Sequence, residues 1–421
     1  MVSKRNFIKT LLITAAMPIK INANSLVISA SSSPSNIAKP DDYWAKIREE
    51  YTLKPDYINL ENGYYSMMAQ PVLEAYLKDI RNLNREASYY MRTVQFDEKN
   101  KTKNQLAELV GCNYDELIIT RNTTESLDII ISGIDWKKDD EAVMCSQDYG
   151  SMLDMFKQQS KRFGIVNKII EIPLDPKTDE EIVDLYAKAI TPKTRLLMIC
   201  HMINITGQIL PVKKICDMAH NKGVDVLVDG AHAIAHIDFK ISDLNCDYYG
   251  SSLHKWLGAP LGSGILYVNK NKIKSIWPLF GELAYEDTDI RKLNHTGTIS
   301  VPSDIAIRHA IEFHTAMGIK RKEERLRFLK TYWTDKIKNE PNIFLNTPSD
   351  PQRSCGIANV GIKNMKPSDL AQILMFEFKV WTVAIDSANV HGVRITPHLY
   401  TNTDDLDTFV MALKTIAKRT K

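Results

Sequence analysis

The sequence predicts an α/β fold, a mostly parallel sheet covered by helices, with a smaller C-terminal α+β domain. Three observations carry this. Short apolar runs alternate with helical stretches between residues 116 and 269, the pattern of a parallel sheet buried on both faces. The texture changes after Pro302, where long helical stretches precede a few short strands. A chain of 421 residues, 44% hydrophobic and 25% charged, is long enough for a large core and for two domains.

Taken in order, the chain opens with Lys4, Arg5, Lys9 and Lys20, no acid in residues 1–30, and an apolar run from Phe7 to Ile19. This is the pattern of a targeting segment, too short for a membrane span of ~20 residues. Ser3-Lys4-Arg5-Asn6-Phe7-Ile8-Lys9 resembles a twin-arginine export signal, with Lys4 where the first arginine belongs. Residues 1–30 are therefore expected to be an export signal to the periplasm; the alternative is a cytoplasmic protein with an N-terminal arm. Residues 31–40, rich in Ser and Pro, read as a linker. Residues 41–60 read as an arm packing on the small domain, 61–300 as the large domain and 301–421 as the small one. Without its basic leader the chain is close to neutral, and nothing in its charge points to nucleic acid. The six cysteines are scattered, without metal-like spacing, and read as buried reduced thiols, with no disulfide framework and no metal site.

Tyr43 to Tyr51 reads as a short helix, and Tyr57 to Tyr65 as a strand entering a turn. Pro71 suits a first helical position, and the helix Lys99 to Val110 stops at Gly111. Strands follow at Glu116–Thr120, Glu141–Cys145, Asn167–Ile172, Arg195–His201, Val224–Asp229, Tyr248–Ser251 and Gly264–Asn269. Between them lie helices at Thr123–Gly133, Ser151–Phe163, Thr178–Ile190 and Val212–Asn221. The last part reads as helices Ser303–Glu324 and Arg325–Lys338, strand Gly356–Ile362, helix Ser368–Phe378, strands Val380–Ile385 and Gly392–Thr396, and helix Asp404–Ala417.

Ligands of such sheets bind beyond the carboxyl ends of the strands. Asp229 ends a buried strand, where an unpaired carboxylate is costly. A protonated ring nitrogen would partner it; an N-cap or an ion pair is the ordinary alternative. Lys255 follows in Ser252-Leu253-His254-Lys255-Trp256, ahead of the turn Gly258-Ala259-Pro260-Leu261-Gly262. A lysine condenses with an aldehyde as a Schiff base and later returns as a base; otherwise it is a solvated surface cation. Thr123 and Thr124 open a helix, whose N-terminus is an anion site. A plain capping box fits poorly, because residue 126 is Ser rather than Glu.

The ordered set Asn122-Thr123-Thr124-Glu125, Asp148-Tyr149, Asn204, Asp229-x-x-His232, Ser252-x-His254-Lys255, Gly297-Thr298 and Arg394 resembles the class V aminotransferase family of pyridoxal phosphate (PLP) enzymes, within it the isopenicillin N epimerase-like branch. The resemblance implies a PLP-dependent transferase fold type I, with PLP on Lys255 and its ring nitrogen on Asp229. It implies phosphate contacts from Thr123, Thr124, Ser252 and His254. Thr298 would reach the phosphate of a neighbouring subunit, which implies a homodimer with shared active sites. Tyr149 would stack on the ring, with Asn204 and His232 near its phenolic oxygen. Arg394 would grip the carboxylate of an amino-acid-type substrate, with Asn62 and Tyr65 in the substrate loop. The plainer alternatives are a loop tyrosine at 149, a turn residue at 204 and a surface ion pair at 394.

The activity so implied is at the α-carbon of an amino acid, as in an epimerase or racemase. An aminotransferase or a C–S or C–C lyase is the alternative within the family. An exported binding protein that kept the fold without catalysis is the alternative outside it. A persulfide-forming desulfurase needs a cysteine in the loop before Arg394; Val380 to Val393 contains none, and Cys355 lies well upstream.

Overall fold

A computed structural model describes residues 42–420. The expected export signal and linker lie outside the described residues. The chain enters through helix α1 (Asp42–Glu49) and a two-residue strand, β1 (Ile58–Asn59). Three helices follow, α2 (Gln70–Glu86), α3 (Ser88–Arg92) and α4 (Val94–Val110). Pro71 does sit in the first turn of α2, while Ala87, with a φ of 41°, breaks the helical region that continues from it. Gly111 closes α4 in the left-handed conformation.

Next come β2 (Leu117–Thr120), α5 (Thr123–Gly133), β3 (Glu141–Cys145), α6 (Gly150–Phe163), β4 (Val166–Ile170), α7 (Asp179–Ala189), β5 (Thr194–Cys200), α8 (Val212–His220), β6 (Asp225–Asp229), β7 (Tyr248–Ser252) and β8 (Gly264–Val268). Their strands form one seven-stranded sheet in the order β2-β8-β7-β6-β5-β3-β4. Only β8 opposes the common direction, being antiparallel to both β2 and β7. Every residue of β2, β3, β7 and β8 is buried, as continuous apolar runs require when helices cover both faces. Strand β4 is one edge, and its Val166 and Ile169 are exposed; β2, fully buried, is the other.

The chain then runs through helices α9 (Val301–Met317) and α10 (Ile319–Ile337). The break falls at Gly318, whose φ is 87°, and not at residues 324–325 as the sequence pattern had it. An antiparallel sheet of order β12-β13-β10-β9 follows, built from β9 (Ile343–Leu345), β10 (Ala358–Ile362), β12 (Val383–Ser387) and β13 (Val390–Ile395). Helices α11 (Pro367–Phe378) and α12 (Thr403–Arg419) cover it. The expected strand Val380–Ile385 is split. Its first part, β11 (Val380–Trp381), pairs in parallel with β1, and the rest joins β13. One core cluster gathers residues of the seven-stranded sheet and its helices, including Leu127, Met198 and Leu266. A second gathers Leu60 with Trp333, Val360, Val393 and Phe409.

Candidate active site

The carboxyl ends of β5, β6 and β7 lie side by side, with Cys200 opposite Asp229 and Asp229 opposite Gly250. A cavity of about 290 Å³ opens there. Lys255, the third residue after β7, reaches this cavity from a half-buried position. Its Nζ lies 3.2 Å from His232 Nε2. Burial lowers the amine to about 8, helped by the Arg394 charge and opposed by Asp229 and Glu61. About a tenth of it is thus the neutral, nucleophilic amine at pH 7, far more than for an ordinary lysine.

His232 has a defined tautomer. The Trp256 indole N–H donates to His232 Nδ1 at 3.3 Å, and an indole nitrogen cannot accept. Burial holds the imidazole well below its usual range, so it is neutral and its single proton sits on Nε2, facing Lys255. Trp256 is itself stacked on His236, with ring centroids 3.6 Å apart. His236 is fixed in turn, accepting from the Gly356 N–H at 2.8 Å and donating from Nδ1 to the His232 carbonyl at 2.7 Å.

Asp229 is buried at the end of β6, and its carboxyl is raised by burial, with the Lys255 charge opposing. Oδ1 accepts the Ala231 N–H at 3.0 Å, the carboxylate's one hydrogen bond among the described residues. It therefore presents capacity for a cationic N–H to the cavity. Gly230 lies where no side chain fits: a Cβ there would come 2.1 Å from the Tyr249 ring.

The helix α5 begins on the same wall. Asn122 caps it, its Oδ1 accepting the Glu125 N–H at 2.9 Å. Ser252 Oγ accepts the Thr123 N–H at 3.0 Å and lies 2.7 Å from Thr123 Oγ1. Thr124 and His254 line the cavity beside them. His254 Nδ1 donates to the Ser263 carbonyl at 3.3 Å, which fixes the ring against the cavity; protonation at Nε2 would make that nitrogen a donor to an anion. The first turn of a helix, its hydroxyls and its dipole make an anion cradle.

Tyr149 lines the cavity at the start of α6 and is 38% exposed. The turn that presents it is pinned by Asp148, which accepts the Cys145 N–H at 2.7 Å and is raised by burial to about 7. Asn204 and Tyr65 also lie on the wall, Tyr65 stacked on His254 at 6.3 Å.

Three nominated residues lie elsewhere. Arg394 is fully buried and bonded to Glu61, through Nε at 2.9 Å and Nη2 at 2.6 Å. Asn62 is fully buried, and its side chain is used by Thr396 and Tyr400. Thr298 is exposed and outside this cavity. Residues not nominated also matter: Tyr64, Met202 and Leu261 line the wall, and Trp256 and Glu61 set the state of their neighbours. Trp256 could have been noticed as the residue beside the lysine, but nothing local links it to His232.

The donor set suits PLP. It offers an amine for the aldehyde, a carboxylate short of partners for the ring N–H, and a helix N-terminus with hydroxyls for the phosphate.

Residues 59–405 match the family described as aminotransferase class V. The chain is 25% identical over 389 residues to isopenicillin N epimerase of Streptomyces clavuligerus, covering 88% of this chain and 97% of that protein. It is 26% identical over 399 residues to a probable cysteine desulfurase of Pyrococcus abyssi, covering 88% and 97%. A structure of a C-DES mutant with glycine covalently linked to its PLP cofactor superposes with a TM-score of 0.80 at 21% identity, over 89% of this chain and 99% of that one. Apo cysteine desulfurase of Thermococcus onnurineus NA1 superposes at 0.79 and 20% identity, over 89% and 98%. The fold is the one these PLP enzymes share, fold type I.

Proposed function

The chain belongs to the aminotransferase class V family and is a PLP-dependent enzyme, and on that premise we propose that it acts at the α-carbon of an amino acid or amino-acid-derived substrate as an epimerase or racemase. The observation that carries the reaction type is the state of the thiols. Cys200, on the cavity wall, is buried and held protonated by burial and by the neighbouring Asp148. Cys355 is fully buried, and burial raises it to about 12. Neither suits the nucleophile that persulfide-forming sulfur transfer needs; this speaks against a desulfurase and leaves proton transfer at the α-carbon, the step an epimerase has in common with an aminotransferase or a lyase.

When bound, PLP supplies an electron sink that lowers the barrier to losing a proton from the α-carbon. Lys255 would hold it, Asp229 would pair with the ring nitrogen, and Thr123, Thr124, Ser252 and His254 would hold the phosphate. Asn204 and His232 would lie near the phenolic oxygen. Lys255 Nζ would take the α-proton on one face, its basicity near neutrality set by burial. The Tyr149 hydroxyl, also on the cavity wall, would return a proton on the other face of the α-carbon. Tyr65 would close the entrance over the substrate.

A homodimer is part of this reading. Thr298 lies outside the chain's own cavity, and the segment before it exposes Trp277, Phe280 and Leu283, an apolar surface that a second copy would cover. Residues 1–30 belong to the same proposal as an export signal.

The test is incubation of the PLP-loaded protein with a panel of L-amino acids in D2O. The expected product is the racemised amino acid with deuterium at its α-carbon. A keto acid that keeps the substrate's carbon skeleton and side chain would mean transamination, and sulfide, or pyruvate from a substrate other than alanine, would mean a lyase; either sinks the epimerase reading.

A further inference from the structure

The Arg394 fork is already filled. Both its Nε and Nη2 donate to the Glu61 carboxylate, and its Nη1 donates to the Asn204 carbonyl at 3.1 Å. The aromatic face of Tyr64 covers the guanidinium, 3.9 Å from ring centroid to Cζ. Gly63 lies so close that a Cβ would sit 3.1 Å from Arg394 Cζ. Both Tyr64 and Asn204 line the cavity, so a single layer of residues separates Arg394 from it.

The backbone of this cover is pinned while the Glu61 side chain is held only by exchangeable hydrogen bonds. Thr396 N–H donates to the Leu60 carbonyl at 2.7 Å, and the Asn62 and Gly63 N–H groups donate to Thr396 Oγ1 at 2.6 and 3.1 Å. Glu61 Oε1 accepts from the Gly63 and Tyr64 N–H groups at 2.9 and 3.0 Å. A rotation of Glu61 would uncover the fork while the Thr396 hydrogen bonds to Leu60, Asn62 and Gly63 stay in place, releasing only the Tyr64 N–H.

We propose that Glu61 is a resident carboxylate, seated on Arg394 at rest and exchanged for the carboxylate of the incoming substrate. This rests on the reading of the cavity as an amino-acid site. The exchange keeps one carboxylate on one buried guanidinium, so Arg394 stays paired throughout. A primary amine without a carboxylate cannot drive it, because Arg394 would be left buried and unpaired. Glu61 thus acts as a specificity filter: it admits substrates whose carboxylate can take its own place.

The test uses the PLP-loaded full chain with acetate, L-alanine and ethylamine as probes, read by calorimetric titration and thermal denaturation. Glu61→Gln keeps an oxygen for the Gly63 and Tyr64 N–H groups but weakens the hold on Arg394. A site occupied most of the time by its own carboxylate loses affinity by the unoccupied fraction, so acetate and L-alanine should bind this variant about tenfold tighter or more, with ethylamine unchanged. Glu61→Ala should melt lower than the wild type and recover with acetate. Binding to Glu61→Gln no tighter than to the wild type, or no recovery of Glu61→Ala, overturns the exchange. The double variant Glu61→Gln, Arg394→Gln separates the underlying reading. If it binds acetate as well as Glu61→Gln does, Arg394 is not the carboxylate receptor at all.

Discussion

Trp256→Phe removes a single N–H while keeping an aromatic ring against His236. In the wild type that N–H occupies His232 Nδ1 and leaves the imidazole proton on Nε2, 3.2 Å from Lys255 Nζ. A donor at Nε2 can be accepted only by the unprotonated amine. The tautomer therefore favours neutral Lys255, in the same direction as burial, which brings the amine to about 8. With phenylalanine in place, Nδ1 is free to take the proton, and Nε2 becomes an acceptor for the lysine ammonium. Trading one donated hydrogen bond for an accepted one is worth about 1 kcal/mol, and 1.36 kcal/mol corresponds to one pH unit. The amine should rise to about 9. The assay is the rate at which the apo-protein captures PLP, followed by visible absorbance across pH. Because the neutral amine reacts, the rate climbs with pH, and its midpoint should move up by about one unit in the variant. Loss of packing alone would lower stability without moving this midpoint. A midpoint that stays in place, or falls, refutes the tautomer argument.

Asp229→Asn should weaken PLP binding by about tenfold to a hundredfold, the worth of one hydrogen bond to a charged group, measured by titrating the cofactor into apo-protein. Affinity equal to the wild type would remove Asp229 from the site. Gly230→Ala should lower stability by about 1–3 kcal/mol in urea denaturation, because its Cβ would overlap the fully buried Tyr249 ring. An unchanged midpoint would mean that the ring has room to move.

Much of the site was legible because its parts are local. Strand ends follow from where an apolar run stops, so Asp229 and the turn carrying Tyr149 could be placed from the sequence. A Thr-Thr pair opening a helix already marks an anion site. Element boundaries failed where one backbone conformation decided them. The break at Gly318 depends on a left-sided φ of 87°, and a helical periodicity running through it hides the choice. The split of β11 from β12 depends on β1, a partner more than 300 residues earlier, which no local pattern announces.

Alternation of apolar runs, by itself, determined a buried, mostly parallel sheet, and with it the line of strand ends, Asp229 among them, beyond which the site residues lie. That follows from period and polarity, which are properties of neighbouring residues. Tertiary structure alone decided the state of those residues. Trp256 sets the proton of His232 through a side-chain contact across 24 positions, and Glu61 fills the fork of Arg394 across 333. Both are hydrogen bonds between groups brought together by packing, and residue type in sequence carries no information about which acceptor a donor will meet.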